Sequence, residues 1–167
     1  MNANMRITEF SQIQTVIQPV NLATGANAGD WINAANYMRT ALVVVAAVGT
    51  AGSDLTVNLM QAKDNTGTDA KALDFTRIDI KQGVSLAAVG EFTRVDQAAS
   101  NSYVNTDNGE SELVYVLDVQ AADLDIDNDF THLTVDIPAV GAAKIGSVVA
   151  MSLVPKFGEE PQLSNID

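Results

Sequence analysis

A chain of 167 residues with no cysteine and one histidine, His132, excludes disulfides, thiolate metal sites and cysteine catalysis, and rules out most histidine-based metal sites. Its net charge of −12, with the nine Lys and Arg scattered singly, disfavours nucleic acid and anionic membranes as partners and favours basic surfaces or divalent cations. Hydrophobic residues make up 47% of the chain and charged residues 18%, which suits one folded domain over residues 1–167 and not a disordered tail.

Residues 1–10 read as a polar N-terminal arm without the apolar core of a signal peptide. Residues 11–20 carry Ile13, Val16, Ile17 and Val20 and predict a short strand that stops near Pro19. Residues 21–30 read as a loop. Residues 31–39 predict one helical turn or an irregular crossing, with Asp30 as its N-cap. Residues 40–48 are nearly all apolar and predict a strand buried on both faces. That run is far too short to span a bilayer.

Residues 54–62 alternate, with Leu55, Val57 and Leu59 on one face. A turn over residues 64–69 follows, rich in Asp, Asn, Thr and Gly. Residues 72–80 and 88–95 predict two further strands, with Gly90 a candidate bulge. Phe75-Thr-Arg77 and Phe92-Thr-Arg94 echo each other and would lie on neighbouring strands. Residues 96–111 read as a long polar loop. Residues 112–120, 131–137 and 145–154 predict strands, the last stopped by Pro155, and residues 121–129 an acidic turn. The β core then spans residues 11–155, and residues 156–167 form a polar tail. About eight short strands with almost no amphipathic helix predict an all-β, single-domain antiparallel β-sandwich or jelly roll.

Chemical motifs are sparse. Asp123, Asp125, Asp127 and Asp129 stand at alternate positions, and an extended chain would gather them as oxygen ligands for Ca²⁺. The likeness to an EF-hand loop fails at its sixth position, Asn128, and its twelfth, Thr134. The competing reading is an acidic surface turn anchored by Leu124, Ile126 and Phe130. His132 has Asp129 and Asp136 near it in sequence but no nucleophile elbow, and is expected to be a partly exposed surface residue. The glycines at 25 and 29 lack the Lys and Ser/Thr of a phosphate loop. No enzymatic activity and no cofactor are expected. Trp31, Tyr37 and Arg39 form the expected interface anchor, since Trp, Tyr and Arg dominate binding hot spots. Closing one end of the sandwich is the alternative role for the two aromatics.

Gly29-Asp-Trp-Ile-Asn-Ala-Ala-Asn-Tyr-Met-Arg39, the 41–48 strand, Leu55-Thr-Val-Asn-Leu-Met-Gln-Ala-Lys-Asp64, Gly67-Thr-Asp-Ala-Lys-Ala-Leu73 and Phe75-Thr-Arg77 together resemble a family of small structural proteins of tailed bacteriophages. Tyr115-Val-Leu-Asp-Val119 and Ala121-Ala-Asp-Leu-Asp125 extend the resemblance over residues 21–154. It implies a capsid decoration, or cement, protein, made in the host cytoplasm and carried on the outer capsid surface of the virion. Its partner would be the major capsid protein lattice, and the chain itself a dimer or trimer. Residues 1–10, 30–39 and 96–111 are the expected contact elements. No functional residue carries over from the family. Alternatives are another virion part (a head–tail connector, tail-tube or tip protein) or a receptor- or carbohydrate-binding sandwich, against which the low aromatic content of 5% counts.

Overall fold

The apolar alternation resolves into two packed antiparallel sheets in the computed structural model, which describes residues 6–156 and Asn165. Residues 1–5 of the expected N-terminal arm, and residues 157–164, 166 and 167 of the expected tail, lie outside the described residues. A four-residue helix, α1 (Ile7–Phe10), leads into β1 (Ser11–Asn21), β2 (Asn27–Ala28), β3 (Ile32–Asn33) and β4 (Tyr37–Ala46). Then come β5 (Thr56–Ala62), β6 (Lys71–Ala72), β7 (Phe75–Gly83) and β8 (Thr93–Ser100). The described chain closes with β9 (Ser102–Val104), β10 (Glu112–Gln120), β11 (His132–Ile137) and β12 (Ile145–Pro155).

One sheet runs β1-β12-β4-β10-β7-β8. The other runs β2-β11-β5-β6, with β3 also on β11 and β9 also on β5. The register places Leu42 opposite Leu117 and Ala150, and Val44 opposite Tyr115 and Val148. These side chains meet Val57 and Leu59 of β5 and Leu133, Val135 and Ile137 of β11 in one shared core. The segment between β2 and β3 laces the sheets together. The Gly29 amide donates to the Val135 carbonyl, and the Asp30 amide donates to the Val16 carbonyl.

Several expectations change. Residues 31–39 form no helical turn, because Ile32 and Asn33 pair with Leu133 and His132 of β11. β4 buries one face only: Thr40, Leu42, Val44 and Ala46 point into the core, while Ala41, Val43 and Val45 stay partly exposed. A second sheet covers just one side of it. β1 runs through Pro19 because it is an edge strand, where a missing amide donor breaks no ladder. Residues 96–111 are not one loop, since β8 and β9 occupy most of the first half. Residues 86–88 form a 3₁₀ turn, so Gly90 lies in a connection and is not a bulge.

Candidate interaction surfaces

The connections at residues 47–55, 105–111 and 138–144 gather at one end of the sandwich around a buried lysine. Lys144 is almost fully buried. Its Nζ donates to the carbonyls of Asn108 (2.6 Å), Gly109 (2.9 Å) and Ser111 (2.9 Å), which uses all three of its protons. Burial pushes the Lys144 pKa down. Asn108 is fixed from its other side. Its Nδ2 donates to the Leu55 carbonyl and the Tyr115 hydroxyl, and its Oδ1 accepts from the Leu55 amide. Asp54 Oδ1 accepts from the amides of Asn108 and Gly109.

Gln82, near the end of β7, joins that strand to the same network. The Tyr115 hydroxyl donates to Gln82 Oε1 at 2.8 Å, and Gln82 Nε2 donates to the Asp107 carbonyl. Burial holds the Tyr115 phenol well above its usual range. Backbones touch at this end as well. A Cβ on Gly141 would lie 2.5 Å from the Gly52 carbonyl oxygen. Apolar side chains project beside this network, from the 84–92 connection and from the end of β9. Val84 is 82% exposed, Val104 62% and Phe92 48%, the last with Lys81 Nζ 4.7 Å from its ring centre. Between the 51–54 and 106–110 stretches lies an open depression of about 270 Å³ carrying Asp54, Asp107 and Glu110.

A second surface is the outward side of the six-stranded sheet. Strand parity places Ile13, Val149, Val43 and Val116 there, on four adjacent strands. Ile13 is 47% exposed and Val45 40%. Of the helical elements, α1 packs on β1 and β12, and 3₁₀ turns pack on β4 and β7. Toward β7 and β8 the same side turns charged. Arg39 pairs with Asp118 at 3.1 Å, Arg77 with Asp79 at 2.9 Å and Arg94 with Asp96 at 2.8 Å. Arg77 also sits opposite Asp96, and Asp79 opposite Arg94, so the signs form a checkerboard. Burial raises the Asp118 pKa against the opposing pull of Arg39 and Arg77. A depression of about 390 Å³ lies between these groups.

The expected anchor residues do not form one surface. Tyr37 is wholly buried and cannot touch a partner. Trp31 leans on the 64–68 turn, where a Cβ on Gly67 would come 2.7 Å from its Nε1. Arg39 is exposed and belongs to the outward side of the sheet. The four aspartates do not converge either, because residues 121–128 fold into 3₁₀ turns and not an extended run. Asp123 accepts from the Gln120 amide, and Asp125 is held by Lys71 and Asn128, which lower its pKa. Asp129 adopts a left-handed turn at φ 64°. Among the described residues no group of three His, Asp or Glu side chains is placed to hold a metal ion. Leu124 and Phe130 are buried as the acidic-turn reading requires, whereas Ile126 is exposed. His132 is buried in β11, not partly exposed, with Nδ1 2.9 Å from Thr131 Oγ1. Lys144 and Asn108, which sequence reading did not single out, carry the most elaborate polar network. The Asn108-Gly109 turn pair was its one visible signal.

Among the described residues no helix is long and apolar enough to cross a membrane. No family model and no curated protein matches the chain. Among solved structures it is similar to the SPBc2 prophage-derived protein YomS, at 12% identity and a TM-score of 0.46, over 85% of this chain and 93% of that one. It is also similar to a chain from the infectious bursal disease virus Gt strain, at 10% identity and a TM-score of 0.25, over 93% of this chain but 45% of the other. At these scores neither likeness bears on function.

Proposed function

We propose that this chain is a non-enzymatic structural protein of a phage virion, a decoration protein that docks on the outer capsid lattice and reinforces the head. The observation that carries this reading is one end of the sandwich, where Val84, Phe92 and Val104 project beside connections locked by Lys144, Asn108 and Asp54. Docking through fixed connections loses little conformational entropy, so a few apolar tips suffice for specific binding. The sequence resemblance over residues 21–154 supplies the class of partner. Elsewhere the acidic surface keeps the free protein soluble and away from nucleic acid. A partner that binds only the assembled shell stabilises it by mass action.

The test is sedimentation of purified protein with particles made without it. Wild type is expected to bind at a fixed copy ratio and to raise the heat resistance of the particles. Val84→Asp with Val104→Asp should weaken binding by roughly tenfold or more, the loss of one to two interfacial apolar contacts. Particles equally heat- and pressure-resistant with and without the protein would refute the decoration role.

A further inference from the structure

The outward side of the six-stranded sheet is neutral on a strongly acidic chain. Its three ion pairs are joined by Lys81 of β7 and Glu112 of β10, which also point outward, so four cations face four carboxylates. The whole net charge of −12 therefore belongs to the rest of the molecule. Copies that met through the acidic parts of that remainder would bring like charges together, which opposes association. Through this one they bring apolar strands together.

We infer that this side of the sheet is the self-association surface of the chain, with a second copy stacked on it sheet against sheet. A two-fold axis running across the strands sets each strand over its own counterpart. β12, β4 and β10 then cover the same strands of the partner copy, and the Arg–Asp checkerboard of β7 and β8 faces its own complement. Six strands about 4.8 Å apart and about 20 Å long outline a face of roughly 600 Å² in projection, near the ~800 Å² per partner of a stable complex. Pairing edge to edge is discouraged at both sides. β1 carries Pro19 and two register shifts, and β8 carries Arg94 and Asp96. The dimer does not depend on the virion reading.

Sedimentation equilibrium of the full chain tests it. The expected result is a dimer at both ~0.15 M and ~1 M salt, because apolar contact and not long-range attraction holds it. Val43→Glu and Ser147→Arg, both at the centre of the sheet's outward side, should weaken it by at least ~10-fold, as loss of a central contact does. Ser147 is already polar and partly exposed, so S147R should keep the wild-type melting curve and decide the matter if V43E fails to fold. Val84→Glu, at the far tip, should stay dimeric. A monomeric wild type, a trimer, or a dimer insensitive to S147R would overturn the proposal.

Discussion

At the scale of single residues, Lys144 is the decisive oddity. A buried ammonium with no carboxylate in hydrogen-bond contact is costly to desolvate, and three carbonyl oxygens offset that cost. Lys144→Met should therefore destabilise the protein by about 3 kcal/mol, because the carbonyls of residues 108, 109 and 111 lose charge-assisted donors inside the protein. For a chain of this size the melting temperature should fall by roughly 10 °C. Amide exchange should speed up first in residues 105–111. Wild-type exchange there would mean that the lysine does not tie the end together. Two opposite shifts contribute to the alkaline limb of stability. Lys144 is depressed below its ordinary 10.5, so the folded state holds fewer protons than the unfolded one just below that pH, and stability rises with pH there. The Tyr115 phenol is raised above its ordinary 10.0, so the folded state keeps a proton the unfolded state loses, and stability falls as pH climbs past 10. Chemical denaturation across pH 8–12 should show that fall reduced in Tyr115→Phe.

At the scale of elements, the crossing at Gly29 and Asp30 is what joins an edge strand of one sheet to the centre of the other. A Cβ at Gly29 would come within 2.5 Å of Val16 Cγ1 and 2.6 Å of the Val135 carbonyl oxygen. The carbonyl cannot rotate away, so Gly29→Ala should cost about 2–3 kcal/mol through overpacking, read as a lower denaturant midpoint at unchanged slope. An unchanged midpoint would mean the two sheets can part there without penalty. Seven of the eight longer strands were legible in the sequence because five or more residues are enough to show a period of two, whereas β8 was caught only at residues 93–95, its remaining residues being polar or small. β2, β3, β6 and β9 were not, since two or three residues carry no period and form only because a longer strand offers its edge. Residues 31–39 carried a local helix signal, an Asp cap before small residues, and lost it to pairing with β11, a contact that local propensity does not encode. The all-apolar run of β4 suggested two buried faces. Its surplus of apolar residues instead marks the outward side of the sheet. The locked end was illegible for a related reason. A lone lysine in sequence reads as solvent-exposed, and the partners of Lys144 are backbone carbonyls that any residue could supply.

At the scale of the whole molecule, the charge balance decides how the protein responds to salt. The five ion pairs recorded among the described residues are all partly exposed, and each contributes little. Against them stands the mutual repulsion of a net −12 spread over a small domain. Salt screens both, but the repulsion acts over longer distances. A Debye length that shrinks from about 30 Å at 0.01 M to about 3 Å at 1 M removes it almost entirely while leaving close pairs partly intact. Thermal melts between those limits should therefore show the melting temperature rising by several degrees, with most of the gain below about 0.15 M. Apolar contact across the neutral side of the sheet should persist over the same range, so stability and association should not weaken together. A melting temperature that falls with added salt would show that the ion pairs of the checkerboard, and not the acidic excess, dominate the electrostatics of the fold.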